Sequence, residues 1–215
     1  MTGEPSGLEL LAAVELMDRL RRDGPWERDQ THESLRRYLV EETYELLDAI
    51  DSGDRDHLLE ELGDILLQVL FHARIAADRV DDPFDIDDVA RSFTTKISAR
   101  TQGVLNGDEI DLQTQIDEWE SRKAAEKARG SVLDGIATTQ PALALAQKVL
   151  ERLDAADFPR DLLPSEITDI RVTAAGPSAE DELRRSVLSF MARIRVAETA
   201  AGAKDEDFWR THLPR

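Results

Sequence analysis

Five carboxylates carry the chemistry this sequence offers. Glu41-Glu42-Thr43-Tyr44-Glu45 is followed, across a short polar break, by Glu61-Leu62-Gly63-Asp64. On a helix that advances about 100° per residue, Leu35, Leu39, Leu46 and Ala49 fall within roughly 60° of Glu42, and so does Glu45. Leu58, Ile65 and Ile75 fall within about 60° of Glu61, together with Asp64. Two helices would each set a pair of acids into an apolar stripe. Unpaired carboxylates facing a core are costly. Two unit charges about 4 Å apart repel by roughly 4 kcal/mol at an effective dielectric of about 20. A cation is the expected remedy, and oxygen-only ligands suit a hard ion, Mg²⁺ with Mn²⁺ as a substitute. The alternative is a solvated face of ordinary surface acids. The spacing favours a site: counting outward from Ser52-Gly53, Glu45 lies about as far back as Glu61 lies forward. Antiparallel helices joined there would bring the two pairs together.

The elements that must hold these groups follow from hydrophobic period and punctuation. Residues 8–22 read as an amphipathic helix with Leu8, Leu11, Leu16 and Leu20 among its apolar positions, stopped by Asp23-Gly24-Pro25. Trp26 to Gln30 reads as a loop. Thr31, with Ser34 in the first turn, caps a helix over about 32–51. Ser52-Gly53-Asp54 breaks it, and Asp54 or Asp56 caps the next, about 55–79, whose stripe includes Leu58, Leu62, Ile65 and Val69. Further helices are expected over about 85–101, 113–128, 141–155 and 179–201, with connections at 102–111 and 131–140. The stretch 157–178, with Pro159, Pro164, Gly176 and Pro177, is expected to be irregular, with one short strand at Ile170-Arg171-Val172. No alternating strand set would build a sheet, so the fold class is all-α.

Composition removes several classes of function. The 215 residues contain no cysteine, which excludes disulfide frameworks, thiolate nucleophiles and zinc-thiolate sites. No apolar run approaches the roughly 20 residues of a membrane span. The first residues lack a basic region followed by a signal core, which predicts a cytoplasmic protein with no membrane partner. A net charge of −18 makes a poor general binder of nucleic acid phosphates. An anionic ligand would need a metal and a few placed cations. His32, His57, His72 and His212 form no His-Glu-x-x-His pattern, and no Glu-x-x-His occurs.

The acidic motif and its flanks together resemble the MazG family of nucleoside triphosphate pyrophosphohydrolases. Gly24-Pro25-Trp26-Glu27-Arg28-Asp29-Gln30-Thr31-His32 resembles the segment that precedes the family's first acidic helix. Leu62-Gly63-Asp64-Ile65-Leu66-Leu67-Gln68-Val69 resembles its second, and Trp119-Glu120-x-x-Lys123 a downstream element. The likeness is close over residues 8–136 and weak beyond. It implies a helical bundle completed by dimerisation, with both subunits shaping the site. It implies Mg²⁺-dependent hydrolysis of NTP or dNTP substrates to monophosphate and pyrophosphate, in a nucleotide-pool house-cleaning role. The residues that match the family's metal ligands are Glu42, Glu45, Glu61 and Asp64. Glu41 matches the other motif acid, for which orienting or deprotonating water is open. Lys96 and Arg100, one turn apart, match a Lys-x-x-x-Arg that contacts phosphates; the alternative is a pair of surface cations. Trp26 would stack on the base, or anchor its loop. Arg100-Thr101-Gln102-Gly103-Val104-Leu105 departs from the family's usual Arg-His-Pro-His-Val-Phe.

Two regions are therefore expected: a MazG-like catalytic domain over 1–136 and a degenerate second MazG-like helical region over 137–215. Pro141 to Arg152 resembles the start of the second domain of two-domain members, but the acidic position reads Glu182-Leu183-Arg184-Arg185. An Arg there opposes cation binding. Two other readings stay open: a catalytically silent helical interaction module, and a metal-dependent hydrolase of another phosphate ester.

Overall fold

The computed structural model describes residues 7–125 and 130–213, with the side chains of Glu120 and of 123–125 left aside. Glu120 and Lys123 of the Trp-Glu element, and residues 126–128 of the expected helix, thus lie outside what is described. Every regular element among the described residues is helical. None of these helices is long and apolar enough to cross a membrane. The chain divides after Trp119 into two compact units.

The first unit contains α1 (Leu8–Asp23), α2 (Pro25–Asp29), α3 (His32–Ser52), α4 (Arg55–Ala77), α5 (Ile86–Arg100) and α6 (Gln102–Asn106), with most of α7 (Leu112–Ala125). Its frame is the hairpin of α3 and α4, and local chemistry dictates both ends of the turn. Thr31 and Ser34 form a reciprocal capping box: the Thr31 hydroxyl accepts from the Ser34 N–H at 3.1 Å and Ser34 Oγ accepts from the Thr31 N–H at 2.9 Å. Gly53 ends α3 with φ 67°, a left-handed conformation that glycine adopts without penalty. Asp54 then caps α4, accepting from the N–H groups of Asp56 and His57 at 2.8 and 3.1 Å. Only two residues separate the helices, so they run antiparallel and pack on one another.

The core of this unit is small. Met17, Leu35, Leu70, Phe71 and Ile75 are buried, with Ala13, Val14, Tyr38, Leu66 and Ile86 packed against them. The apolar stripes expected to face a core are therefore only half covered. Leu8, Leu11 and Leu16 of α1, Leu39 of α3, and Leu62 and Val69 of α4 are exposed, as are Val40, Tyr44, Leu47, Ile50 and Leu59. The physical reason is that α3 and α4 are apolar on more than one side, and the unit supplies a partner for one side.

Several local expectations differ from the structure. Trp26 to Gln30 is not a loop: Pro25 starts α2, and Arg21 Nη1 donates to the carbonyls of Glu27 and Gln30 at 2.6 and 2.9 Å. Pro at the first helical position costs no hydrogen bond, which permits so short a helix. The connection after α5 contains α6, closed by Gly107 at φ 80°. Ile170-Arg171-Val172 forms no strand; a short 3₁₀ turn (Arg160–Leu162) and α9 (Ser165–Thr168) precede it.

The second unit packs α8 (Ala142–Asp154) on α10 (Ala179–Ala197) and closes with α11 (Glu206–His212), which the sequence pattern did not reveal. Phe208 and Trp209 of α11 are buried, and the Trp209 indole donates to the Ala156 carbonyl at 3.1 Å. Leu183 joins this core, whereas Arg184 donates to the carbonyls of Thr138 and Gln140 and pairs with Glu180 at 2.7 Å. Arg185 is exposed.

Removing the Thr31 hydroxyl leaves the Ser34 N–H without its cap. Thr31→Ala is expected to lower unfolding free energy by about 1 kcal/mol, measured by urea denaturation of the metal-free protein.

Candidate functional site

The hairpin brings three of the expected acids together. Glu42 and Glu45 of α3 and Glu61 of α4 each offer a carboxylate oxygen, and these oxygens all lie within 4.8 Å of one another. Oxygens bound to one hard cation at about 2.0–2.6 Å lie up to about 5 Å apart, so one ion would fit among them. Glu61 is 6% exposed, Glu42 is half-buried and Glu45 is exposed. The acids thus form a graded approach from solvent into the hairpin, rather than four inward groups.

The electrostatics match the geometry. Burial, a hydrogen bond with Glu45, and the charges of Asp64, Glu45 and Glu41 together push the Glu42 carboxyl up to about 7. Asp64 and Glu41 are therefore close enough to act on Glu42, although Asp64 is not one of the converged three. Glu41 itself is exposed. Glu61 is held on one side only: its Oε1 lies 3.2 Å from His57 Nε2, while its buried Oε2 has no hydrogen-bond partner. A buried carboxylate oxygen without a donor costs about 1–3 kcal/mol or more. A carboxylate with such an oxygen, grouped with two further carboxylates, is a donor set that could hold a hard cation.

Lys96 is exposed on α5, and the half-buried Arg100 places its guanidinium 5.2 Å from the centre of the Trp119 ring. The groups that shift Glu42 are carboxylates throughout, and neither cation is among them. Trp26 is 50% exposed and lies edge-on to Tyr38 and Phe71, with ring centres 6.2 and 6.0 Å away.

Three further polar features share the hairpin. His57 steadies Glu61, Gln68 is buried without a partner for its Oε1, and His32 stacks on His72 with Nδ1 atoms 2.8 Å apart. A search for His-Glu-x-x-His misses all three. The signal that finds His57 is its four-residue spacing from Glu61, which places it one turn away on the same face.

Together these observations define an all-α protein whose central helical hairpin presents a carboxylate cluster able to hold a cation. Comparison with known proteins specifies it further. Residues 30–105 match the MazG nucleotide pyrophosphohydrolase domain. A nucleoside triphosphate pyrophosphohydrolase of Mycobacterium tuberculosis is 57% identical over 90% of this chain and 59% of its own length. Another, of Mycolicibacterium smegmatis, is 55% identical over 94% of this chain and 63% of its own length. The chain thus spans about three fifths of these two relatives. An uncharacterised 26.1 kDa protein of Streptomyces cacaoi is 44% identical over 89% of this chain and 84% of its own length. The chain belongs to the MazG family.

A raised carboxyl makes stability depend on pH. Glu42 titrates near 7 in the fold and near the ordinary glutamate value when unfolded. Its contribution is fully present below the unfolded value and is lost as pH rises through about 7. Glu42→Gln removes that loss. In chelator, the variant and wild type are expected to unfold at similar urea concentrations near pH 4.5, and the variant at the higher concentration at pH 8. Identical midpoints at both pH values would mean that Glu42 is not crowded.

Proposed function

We propose that this chain is a Mg²⁺-dependent nucleoside triphosphate pyrophosphohydrolase, active on ribo- or deoxyribonucleotides as a homodimer in the cytoplasm, where it clears the nucleotide pool. The observation that carries the proposal is the converged trio Glu42, Glu45 and Glu61, with its partnerless buried oxygen, inside a MazG domain. The two curated relatives named as nucleoside triphosphate pyrophosphohydrolases support the same activity.

Glu42, Glu45, Glu61 and Asp64 would hold Mg²⁺, with Mn²⁺ as a substitute. The ion supplies charge neutralisation on the polyphosphate and Lewis-acid activation of the attacking water. Glu41, beside Glu42 and exposed, is assigned to orient or deprotonate that water. Lys96 and Arg100 are assigned to the β- and γ-phosphates, where a point charge and a planar fork suit phosphate oxygens and offset charge on departing pyrophosphate. Trp26 offers its half-exposed ring as a stacking surface for the base. A second copy of the chain is the natural cover for Tyr44, Leu47, Ile50, Leu59 and Leu62, all large, apolar and exposed. Residues 1–136 form the catalytic domain in this scheme, and 137–215 a degenerate second MazG-like region.

Cleavage position tests the activity directly. Incubated with Mg²⁺ and each NTP and dNTP, the protein is expected to release monophosphate and pyrophosphate, with label from ¹⁸O-water in the monophosphate. Label in inorganic phosphate, with diphosphate accumulating, would overturn the assignment. Chelator is expected to abolish turnover. Glu45→Ala is expected to cost at least ~100-fold in rate through loss of an ion ligand.

The remaining assignments have their own variants. Lys96→Ala and Arg100→Ala are expected to slow turnover with the helical circular dichroism unchanged; wild-type kinetics in both would make them surface residues. Glu182→Ala is expected to stay within about two-fold of wild-type rate, since it has no transition-state contact.

A further inference from the structure

We propose that His57 is a positioning residue of the carboxylate site: by holding Oε1 of Glu61 it leaves Oε2 as that side chain's one ligand atom, and so favours Mg²⁺ or Mn²⁺ over Ca²⁺. The proposal rests on the metal assignment above and names a residue to which that assignment gives no part.

The geometry starts at the turn of the hairpin. Asp54 caps α4 and accepts from the His57 backbone N–H at 3.1 Å, which fixes His57 in the first turn of the helix. Glu61 follows four residues on, one turn along the same face. The imidazole spans that turn, with Nε2 3.2 Å from Glu61 Oε1. A carboxylate at this distance selects a ring form that carries a proton on Nε2, so an N–H meets an acceptor.

The two oxygens of Glu61 are thereby made unequal. Oε1 has the ring beside it, and Oε2 is buried with no hydrogen-bond partner. The other two acids of the trio are placed differently, since Glu42 and Glu45 hydrogen-bond to one another. Within the trio, Oε2 of Glu61 is the buried oxygen that no described residue satisfies. A ring proton next to Oε1 also repels a cation that approaches that oxygen. The Glu61 side chain is only 8% exposed, against 41% for His57, so its carboxylate has little room to turn and offer both oxygens.

That division bears on the choice of ion. Mg²⁺ takes a near-ideal octahedron at about 2.0–2.1 Å, with a few carboxylate oxygens and waters in the remaining positions. Ca²⁺ takes about 6–8 oxygens at about 2.3–2.6 Å and reaches that number by binding carboxylates through both oxygens. Bidentate binding by Glu61 would need Oε1 as well as Oε2. With Oε1 held by His57, Glu61 is a one-oxygen ligand, which suits the smaller and more demanding ion.

The test counts free Mn²⁺ by electron paramagnetic resonance as protein is added, then displaces bound Mn²⁺ with Mg²⁺ and with Ca²⁺. It compares wild type with His57→Gln, His57→Asn and His57→Ala. No nucleotide is present, so the readout is ion binding and not turnover. The Gln amide nitrogen reaches the position of Nε2, whereas Asn and Ala fall short of Glu61. In His57→Asn and His57→Ala, Mn²⁺ binding is expected to weaken by about 10-fold, as on loss of a group that orients a metal ligand. The ratio of Ca²⁺ to Mg²⁺ dissociation constants is expected to fall in both by at least about 10-fold, because Oε1 is released to Ca²⁺. His57→Gln is expected to stay within about three-fold of wild type on both measures, since it restores the N–H. An unchanged ratio in the short variants, or the same shift in His57→Gln, would overturn the proposal and leave the metal assignment standing. Failure of all three variants to fold would also overturn it, since that marks a packing residue. A wild type that binds no Mn²⁺ would instead remove the metal assignment and this proposal together.

Discussion

Mutual repulsion of carboxylates is the constraint on which the rest of the structure depends. Glu42, Glu45 and Glu61 are held with oxygens within 4.8 Å, and Asp64 and Glu41 add their charge nearby. Among the described residues, only a Glu42–Glu45 hydrogen bond and the His57 contact to Glu61 relieve this repulsion locally. The arrangement persists because α3 and α4 are locked by devices that ignore the acids: the Thr31–Ser34 capping box, the left-handed Gly53 and the Asp54 cap. The hairpin's stability is spent in part on holding like charges together. A hard cation among these oxygens would convert that strain into binding, which is the basis for proposing a site here.

Much of this hairpin was legible in the sequence, because its determinants are local. Capping residues, the Ser52-Gly53-Asp54 break and the three-residue spacing of the acids all act within one or two turns. What covers a helix face is not local. Leu39, Leu62 and Val69 have the period of a buried stripe yet are exposed, because periodicity reports that a face is apolar and not what lies against it. The short elements escaped for another reason. Five residues in α2 and seven in α11 complete too few turns to show a period, so Pro25 and the aromatic pair Phe208-Trp209 were their only marks.

The candidate site was legible to the same depth. Carboxylates declare themselves by type and spacing, so their convergence could be expected. His57 and Gln68 declare themselves only through what they touch or fail to touch: one faces Glu61, and the other has an oxygen with no donor. The stacked His32 and His72 stand 40 residues apart in sequence, and only the closed hairpin makes them neighbours.

The two units build core clusters of different size. Among the described residues, sixteen buried side chains make the core cluster of the second unit and five that of the first. The unit with the acids thus has the smaller core cluster, and it alone carries the carboxylate trio among the described residues. If the trio holds a divalent cation as proposed, the concentration of that cation acts on folding as well as on turnover. On heating, the protein should absorb heat in two stages, with only the earlier stage moving upward as Mg²⁺ is added. On the proposed function, a shortage of free Mg²⁺ would loosen the fold of the first unit before it slowed turnover.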